Sequence, residues 1–351
     1  MSTWRTNIRE VTPYTPGEQP NKENMIKLNT NENPYPPSPM VEAGGKEMED
    51  WRLYPDPSVT KLVHALAQYH GLLDEQVFVG VGSDDVLAMS FLTFFNSDKP
   101  ILFPDITYSF YDVWAELYKI PYKRVPLTEQ FRLVKEDYQQ ENGGIVFPNP
   151  NAPTGILEPV SFVEDIVRGN PDSVVIVDEA YIDFGGETCL NLIHRYENLL
   201  VVRTYSKSRS LAGLRVGYCM GNKELIEALN NVKQSYNSYT MNQAAIALGT
   251  ASLKDEDYFR EHVAKIISTR EWVGEELRKL HFSFAPSSAN FLFITHERVK
   301  AKDIFEMLKE QDIYVRYFDK PRIDNYLRVT IGTDEQMQQF IDALKRYLNV
   351  K

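Results

Sequence analysis

A single lysine follows an apolar run in RTYSKSRSLAGLRVGY, residues 203–218, and is the strongest chemical signal in the chain. Lys207 comes directly after Ser206, and Arg215 lies eight residues beyond it. Desolvation and neighbouring cations lower the pKa of a lysine at the end of a buried strand, which makes its amine a candidate nucleophile. A solvated loop lysine would show the same spacing, so this motif alone leaves both readings open.

A carboxylate ends a second apolar run, VVIVDEAYIDF at residues 174–184, in which Asp178 precedes Tyr181 by three positions. A buried carboxylate needs a cation or a hydrogen-bond donor beside it, because an unpaired buried charge is costly. The alternatives are a helix cap and the magnesium-binding acid of a nucleotide hydrolase. The chain has no GxxxxGK[ST] phosphate loop to accompany the second alternative.

Two polar turns follow other apolar runs. VGVGSDDVLAMSF, residues 79–91, predicts a strand, a glycine turn and a helix that begins near Ser83, where backbone N–H groups can bind phosphate. Ser83 also fits an ordinary helix cap. FPNPNAPTGILEP, residues 147–159, predicts a rigid polar turn at the end of GIVF. Each turn alone is a weak signal.

The elements that must position these residues alternate along the chain, with short apolar runs between helical patterns. This alternation predicts a mostly parallel sheet with helices on both faces. Ligands of such sheets bind beyond the carboxyl ends of the strands. The predicted strands are 77–82, 100–103, 144–148, 173–180, 199–206 and 214–220, and the predicted helices lie near 84–95, 108–119, 159–168 and 222–235.

The flanking segments predict a different organisation. Residues 1–60 are rich in Pro, Asn and Asp, so they predict an ordered, extended arm rather than a long helix. Residues 254–280 predict one long helix between two domains. The later segments predict a smaller α+β domain, which we expect to recruit the arm. Its predicted strands are 290–294, 313–318 and 326–333, and its predicted helices are 301–311 and 334–348.

The composition argues against several classes of protein. With 38 Lys plus Arg against 49 Asp plus Glu, the net charge of −11 argues against a nucleic-acid binder but allows a locally basic site. Cys189 and Cys219 form no CxxC pair, and the six histidines lack metal-ligand spacing, so we predict no metal site. No apolar run reaches the roughly 18–20 residues of a membrane span, and the first residues lack an apolar signal core. These features predict a mature, soluble cytoplasmic protein.

Taken in chain order, the motifs resemble the fold-type I pyridoxal-phosphate enzymes, the aspartate aminotransferase superfamily. The shared order is a glycine turn, an aromatic residue, an NPxxPTG-like turn, D-x-A-Y, S-K and an arginine eight residues beyond the lysine. The resemblance covers nearly the whole chain. It implies an α/β fold with a mostly parallel, seven-stranded-type sheet in a large domain and a smaller α+β domain. We expect the arm at 1–40, the large domain at 41–265 and the small domain at 266–351.

Further stretches are similar to the histidinol-phosphate aminotransferase family of class II. That family transfers an amino group between L-histidinol phosphate and 2-oxoglutarate in histidine biosynthesis, which gives imidazole acetol phosphate and L-glutamate. The resemblance implies an enzyme with pyridoxal 5'-phosphate as its cofactor. The stretches are TPYTPGE, KLNTNENPYPPSP, RLYPDP, RTYSK with LAGLRVGY, IYVR and YLRVTIGT.

The resemblance assigns roles around the cofactor ring. Lys207 is expected to bind the cofactor covalently and then to carry the proton of the transfer. Asp178 is expected to pair with the pyridine nitrogen, Tyr181 to hydrogen-bond the ring hydroxyl, and Tyr108 to stack on the ring. The phosphate is expected to lie among Ser83, Asp84, Thr204, Ser206 and Arg215.

One position departs from the family pattern. The family usually has Asn immediately before the Pro of PTG, where it bonds the ring hydroxyl, and this chain has Ala152 there. Either Asn151, one residue earlier, reaches the ring through a shifted turn, or Tyr181 bonds the hydroxyl largely alone.

The resemblance also assigns the substrate side. Arg328 matches an arginine that binds the substrate carboxylate, and Arg316 matches one used at the distal anionic end. Tyr14 and Asn29 match arm positions that close over the substrate. Tyr54 matches a tyrosine that reaches the cofactor phosphate of the neighbouring subunit, which implies a homodimer with a shared active site.

Other functions remain open at this point. An aromatic amino-acid aminotransferase or a threonine-phosphate decarboxylase would use Lys207 and Asp178 in the same way. A regulatory protein that keeps the fold without turnover usually carries an added helix-turn-helix domain, for which the arm leaves no room. A dinucleotide-binding protein would need the full glycine fingerprint, which is missing.

Overall fold

The computed structural model describes residues 6–15, 17–20, 22–45 and 52–349. Its strands are β1 (Ile26–Lys27), β2 (Val77–Gly80), β3 (Ile101–Pro104), β4 (Tyr122–Val125), β5 (Gly144–Pro148), β6 (Val175–Asp178), β7 (Leu199–Thr204), β8 (Gly217–Gly221), β9 (Phe282–Ser283), β10 (Phe291–His296), β11 (Ile313–Tyr314), β12 (Arg316–Tyr317) and β13 (Leu327–Thr330).

Ten α-helices connect these strands within the described residues: α1 (Pro39–Gly44), α2 (Thr60–His70), α3 (Ser83–Phe94), α4 (Phe110–Tyr118), α5 (Val160–Gly169), α6 (Lys223–Tyr236), α7 (Gln243–Ser252), α8 (Glu256–Lys279), α9 (Ala301–Glu310) and α10 (Asp334–Tyr347). None of them combines the length and the apolar character that a membrane crossing requires.

The largest sheet has seven strands in the order β2-β8-β7-β6-β5-β3-β4 within the described residues. The pairs from β7 to β4 are parallel, and β8 runs antiparallel to both of its neighbours. Alternate residues of β6 enter different cores, since Val175 and Val177 belong to one apolar cluster and Ile176 to another. Both faces of the sheet are therefore covered, as the continuous apolar runs predict.

The register of the sheet aligns the carboxyl ends of three neighbouring strands. Asp178 at the end of β6 lies beside Pro148 of β5 and Val202 of β7. The loops after these strands therefore lie together at the carboxyl edge of the sheet. Gly217 at the start of β8 lets this edge close on helix α3, because a Cβ there would lie 2.2 Å from the backbone nitrogen of Ser83.

A second, antiparallel sheet has the order β12-β13-β10-β9 within the described residues. Helices α8, α9 and α10 cover it with a separate apolar cluster. The arm joins this part of the molecule, because β1 pairs in parallel with β11 and the amide of Leu28 donates to Tyr314 O at 2.7 Å. This pairing supports the expected association of the arm with the small domain, while the three domain boundaries stay predictions.

The predicted elements correspond to observed ones, with some corrections. The predicted strand at 313–318 is two short strands, β11 and β12, because its first half pairs with the arm and its second half with β13. Strand β4 was not predicted, and its Lys123 and Arg124 are exposed at the sheet edge. Helices α2 and α7 were also not predicted.

Candidate active site

A cavity of about 380 Å³ lies at the carboxyl edge of the seven-stranded sheet, between that sheet, the arm and the second sheet. All the predicted site residues except Asn151 and Tyr54 line it. They are Tyr14, Asn29, Ser83, Asp84, Tyr108, Asp178, Tyr181, Thr204, Ser206, Lys207, Arg215, Arg316 and Arg328. The fold thus brings together residues that are as much as about 300 positions apart in the chain.

Asp178 ends strand β6 at the floor of the cavity and is only 5% exposed. Its Oδ1 accepts the amide N–H of Ala180 at 3.1 Å, and its Oδ2 accepts the hydroxyl of Tyr111 at 3.3 Å. Burial raises the pKa of Asp178 to about 7. No cation among the described residues forms an ion pair with this carboxylate, so the site favours a positively charged ligand group above it.

Lys207 follows strand β7 and extends across the cavity towards the arm. Its Nζ donates to Thr30 O at 3.0 Å and lies 5.8 Å from the centre of the Tyr181 ring. The Nδ2 of Asn33 donates to the backbone oxygens of Lys207 and Ser208, at 3.1 and 3.2 Å. The arm therefore fixes both the backbone and the amine of this lysine.

The predicted phosphate site lies where helix α3 begins. Gly82 precedes the helix with φ +85°, and a Cβ there would lie 2.6 Å from a guanidinium nitrogen of Arg215. Arg215 Nη2 lies 3.0 Å from Asp84 Oδ2, and Arg215 Nη1 lies 3.5 Å from Ser206 Oγ. Free helix N–H groups and a guanidinium at one point form a site for an anion.

Two hydroxyl groups complete this region. Thr204 Oγ1 lies 3.0 Å from Ser206 Oγ and accepts the amide N–H of Ser206 at 3.1 Å. Tyr108 closes the opposite side, since its hydroxyl donates to Asp84 Oδ1 at 2.7 Å. The Asp84 carboxylate thus bonds both Arg215 and Tyr108, and an incoming phosphate would compete with it for Arg215.

Asn151 lies outside the residues that line the cavity, and its contact with the ring stays a prediction. Its Nδ2 donates to Ile106 O at 3.0 Å and to Thr154 Oγ1 at 3.1 Å, and its Oδ1 accepts the hydroxyl of Thr107 at 3.2 Å. These bonds tie the amide to the segment after strand β3 and to Thr154 of its own turn. Ala152 lines the cavity, and Asn151 does not. Of the two residues in these alternatives, Tyr181 lines the cavity and Asn151 does not.

Tyr54 also lies away from the cavity. It is 80% exposed and stacks on Tyr239 with ring centres 4.7 Å apart. Nearby, the Nε2 of Gln243 donates to Leu53 O at 3.1 Å, which fixes the loop that presents Tyr54. Within one chain, this tyrosine contributes nothing to the cavity.

Two arginines from the second sheet form the far wall of the cavity. Arg328 donates from Nη2 to Asn29 O at 3.0 Å, and its Nε is buried without a partner. Burial lowers the pKa of Arg328 from its ordinary value. Arg316 lies over the Phe318 ring at 5.6 Å. No described carboxylate pairs with either arginine, so both remain available to anions.

The sequence analysis missed several residues of the site. Tyr111 touches Asp178 but lies inside a buried aromatic cluster, and nothing in its sequence context marks it. Thr30, Asn31 and Asn33 contact Lys207 or Tyr181 from the arm. The polar stretch KLNTNENPYPPSP does contain these three residues, and it was the one signal that could have indicated them.

The fold and the site define a class of enzyme. The family model for class I and II aminotransferases matches residues 23–344, and the chain belongs to this family. Among solved structures, the histidinol-phosphate aminotransferase of Clostridium acetobutylicum aligns with a TM-score of 0.84 at 24% identity. The alignment covers 93% of this chain and 99% of that chain. This likeness confirms the predicted aminotransferase fold.

Relatives of higher sequence identity indicate which aminotransferases the chain is similar to. The chain is 53% identical over 350 residues to histidinol-phosphate aminotransferase 1 of Hydrogenovibrio crunogenus, which covers 99% of this chain and 98% of that protein. It is 50% identical over 354 residues to the histidinol-phosphate aminotransferase of Acinetobacter baylyi, with 99% and 98% covered. The resemblance drawn from the motifs is therefore confirmed.

Proposed function

We propose that this aminotransferase moves an amino group between L-histidinol phosphate and 2-oxoglutarate, with pyridoxal phosphate as its cofactor. The products are imidazole acetol phosphate and L-glutamate, in histidine biosynthesis. The observation that carries the proposal is one cavity that combines a lysine amine, a buried carboxylate and two arginines. Among the described residues, the carboxylate has no cationic partner and the arginines have no carboxylate partners. The names of the relatives that match nearly the full chain support the substrate.

The residues present fit the cofactor. Asp178 is a buried acid that needs a cationic partner, which a protonated ring nitrogen would supply. The start of helix α3 and Arg215 would bind the phosphate, and Tyr108 would lie against the ring. Bound pyridoxal phosphate supplies an electron sink for the charge that develops when a proton leaves the substrate carbon.

The chain's own residues then provide orientation and proton transfer. The amine of Lys207 would accept the proton from the substrate carbon and carry it to the aldehyde carbon of the cofactor. In the structure this amine donates to Thr30 O, on the arm side of the cavity. Tyr181 would donate to the ring hydroxyl, and Asp178 would keep the ring nitrogen protonated.

The far wall would bind the anionic ends of both substrates. Histidinol phosphate carries a phosphate, and glutamate carries carboxylates, so one cationic wall can accept each in turn. Arg328 and Arg316 supply this charge, and arginine bonds phosphate and carboxylate oxygens with two parallel N–H groups. Tyr14 and Asn29 would cover the substrate from the arm side.

We also propose a homodimer with a shared active site. Tyr54 and its stacking partner Tyr239 are exposed, and the neighbouring side chains of Leu53 and Tyr236 are 53% and 74% exposed. Exposed apolar and aromatic side chains that lie together are typical of subunit interfaces. A cytoplasmic location stays a prediction, supported by the free thiols of the two buried cysteines.

Hybrid dimers test the shared site. Tyr54→Phe and Lys207→Ala are purified separately, mixed under exchange and assayed. One site of each hybrid then combines an intact Lys207 with an intact Tyr54, so the mixture should exceed the summed activities of its parts. Activity equal to that sum, with exchange verified by a size tag, would argue against a shared site.

A substrate panel tests the function. The purified protein, loaded with pyridoxal phosphate, is mixed in single-turnover amounts with L-histidinol phosphate, phenylalanine or O-phosphothreonine. We expect histidinol phosphate to convert the visible absorbance of the bound cofactor fastest, and phosphothreonine to release no carbon dioxide. Conversion by phenylalanine alone would identify an aromatic aminotransferase. Lys207→Ala is the control, since it should show no turnover with any of the three.

A further inference from the structure

An arm residue that the proposed mechanism does not use lies directly behind Tyr181. The Nδ2 of Asn31 donates to the Tyr181 hydroxyl at 2.9 Å. Asn31 is 1% exposed, and it borders the cavity. A buried amide that hydrogen-bonds a hydroxyl of the site can determine the direction in which that hydroxyl donates its own proton.

The hydrogen bonds around Asn31 determine which way its amide faces. The backbone N–H of Asn31 donates to Thr330 Oγ1 at 3.0 Å, and Thr330 Oγ1 donates to Asn31 Oδ1 at 2.9 Å. The opposite orientation would leave the Thr330 hydroxyl proton without an acceptor in a side chain that is 2% exposed. The oxygen of the amide therefore faces Thr330, and its nitrogen faces Tyr181.

An amide nitrogen only donates, so the Tyr181 oxygen must accept this bond. The single proton of the Tyr181 hydroxyl is then free to point elsewhere, and the cavity is the open side of this residue. Tyr181 itself is 8% exposed and packs edge-on against Phe291 with ring centres 5.1 Å apart. This packing holds the Tyr181 ring in place, so its hydroxyl cannot move to other partners.

The backbone of Asn31 is held as firmly as its side chain. Its φ is +58°, in the left-handed region that asparagine tolerates better than most residues. The Nδ2 of Asn290, which is fully buried, donates to Asn31 O at 3.1 Å. Asn31 is thus anchored to strand β13 and to the residue before β10, and the arm cannot shift without breaking several buried bonds.

This orientation matters in this chain because of the turn at Ala152. The amide that usually shares the ring hydroxyl is missing there, and the Asn151 amide already donates to Ile106 O and to Thr154 Oγ1. The contact with the ring hydroxyl therefore depends on Tyr181, and it needs a donor. If the Tyr181 hydroxyl directed its single proton towards the arm, only its lone pairs would face the ring oxygen.

We propose that Asn31 is a positioning residue that makes Tyr181 a hydrogen-bond donor towards the cavity and so towards the ring oxygen of bound pyridoxal phosphate. The inference rests on the proposed function and adds a residue to it. In this proposal Asn31 acts through its hydrogen bond to Tyr181.

Two substitutions separate this role from a general effect on the arm. Asn31→Asp keeps the size of the side chain but replaces the donor by an acceptor, which draws the Tyr181 proton towards the arm. Asn31→Ala removes the donor without adding charge. We expect cofactor affinity to fall roughly 10-fold for Asn31→Asp and roughly 3-fold for Asn31→Ala, in line with the loss of one buried hydrogen bond. The pH at which the visible absorbance of the loaded protein changes should move in both.

The decisive comparison repeats both substitutions in a Tyr181→Phe background. If Asn31 acts through the Tyr181 hydroxyl, neither should change cofactor affinity or the absorbance titration further in that background. If the two Asn31 substitutions keep their full effects in the Tyr181→Phe background, the inference is wrong. The effects would then come from displacement of the arm or from the added charge. Thermal unfolding of the cofactor-free variants shows whether each is folded. A wild-type protein that binds no pyridoxal phosphate would refute the proposed function instead, so the two failures are distinguishable.

Discussion

Two walls of the cavity, one at the seven-stranded sheet and one from the arm, are built in different ways. The sheet wall consists of residues at or just after the ends of short, buried apolar strands, among them Asp178 and Lys207. The arm wall comes from the short stretch 29–33, which has little regular structure of its own and is held by side chains of distant segments. The comparison suggests that the sheet wall provides the reacting groups, while the arm wall orients them and covers the substrate.

The largest expected effect belongs to the sheet wall. Lys207→Ala should lower turnover by on the order of 10⁴-fold, because no other lysine among the described residues lines the cavity to transfer the proton. Steady-state transamination measures this loss. Borohydride reduction of the wild-type holoenzyme should leave the cofactor on the peptide with Lys207, and labelling of another lysine would contradict the assignment. Lys123→Ala, at the exposed edge of strand β4, is a matched control that should keep full activity.

Asp178→Asn should lower turnover by roughly 10²- to 10⁴-fold, because the variant cannot keep the ring nitrogen protonated. It should also stabilise the cofactor-free protein in a pH-dependent way. Burial raises the pKa of Asp178 from 3.8 to about 7, so the folded state binds more protons than the unfolded state between these values. The contribution of Asp178 to stability is therefore complete below about pH 4 and falls as the pH rises towards about 7.

Thermal and urea unfolding measure this second effect. At about pH 8 the cofactor-free Asp178→Asn protein should be more stable than the wild type, by up to roughly 4 kcal/mol. The difference should shrink as the pH falls towards about 5. A difference that is constant with pH would mean that desolvation of the carboxylate is not its cause. Asp98→Asn, at an exposed position, is the control and should leave the pH dependence unchanged.

The contrast between the walls also explains what the sequence could predict. Asp178 and Lys207 were found because a run of apolar residues that ends in a polar one has a simple physical meaning in a parallel sheet. The split of 313–318 into two strands could not be found, because it depends on pairing with an arm almost 290 residues away. Tyr111 and Asn31 were missed for the same reason, since only tertiary contacts bring them to Asp178 and Tyr181.

The arm wall should respond to substitution mainly in substrate binding. Asn29 donates from Nδ2 to Glu18 O at 2.7 Å, and its Oδ1 is buried beside the cavity without a partner. Asn29→Ala should raise KM for the substrates by roughly 10-fold, with kcat changed far less, because one buried hydrogen bond to a covering segment is lost. Initial rates at varied substrate concentrations separate the two constants. A loss confined to kcat would place Asn29 among the reacting groups and break the distinction between the walls.

The smallest expected effect tests whether the sheet wall tolerates loss of a supporting contact. Burial raises the pKa of Tyr111 well above its ordinary value, so its hydroxyl stays protonated and donates to Asp178. This bond lowers the pKa of Asp178, against the larger effect of burial. Tyr111→Phe should therefore raise the pKa of Asp178 further and weaken cofactor binding by roughly 3- to 10-fold, while the volume of the side chain is nearly kept.

A titration of cofactor affinity against pH should show the loss growing as the pH falls, because protonation of Asp178 then begins at a higher pH. Tyr138→Phe, another fully buried tyrosine whose hydroxyl has no partner, should leave cofactor affinity unchanged. An equal loss in both variants would attribute the effect to packing rather than to the bond with Asp178.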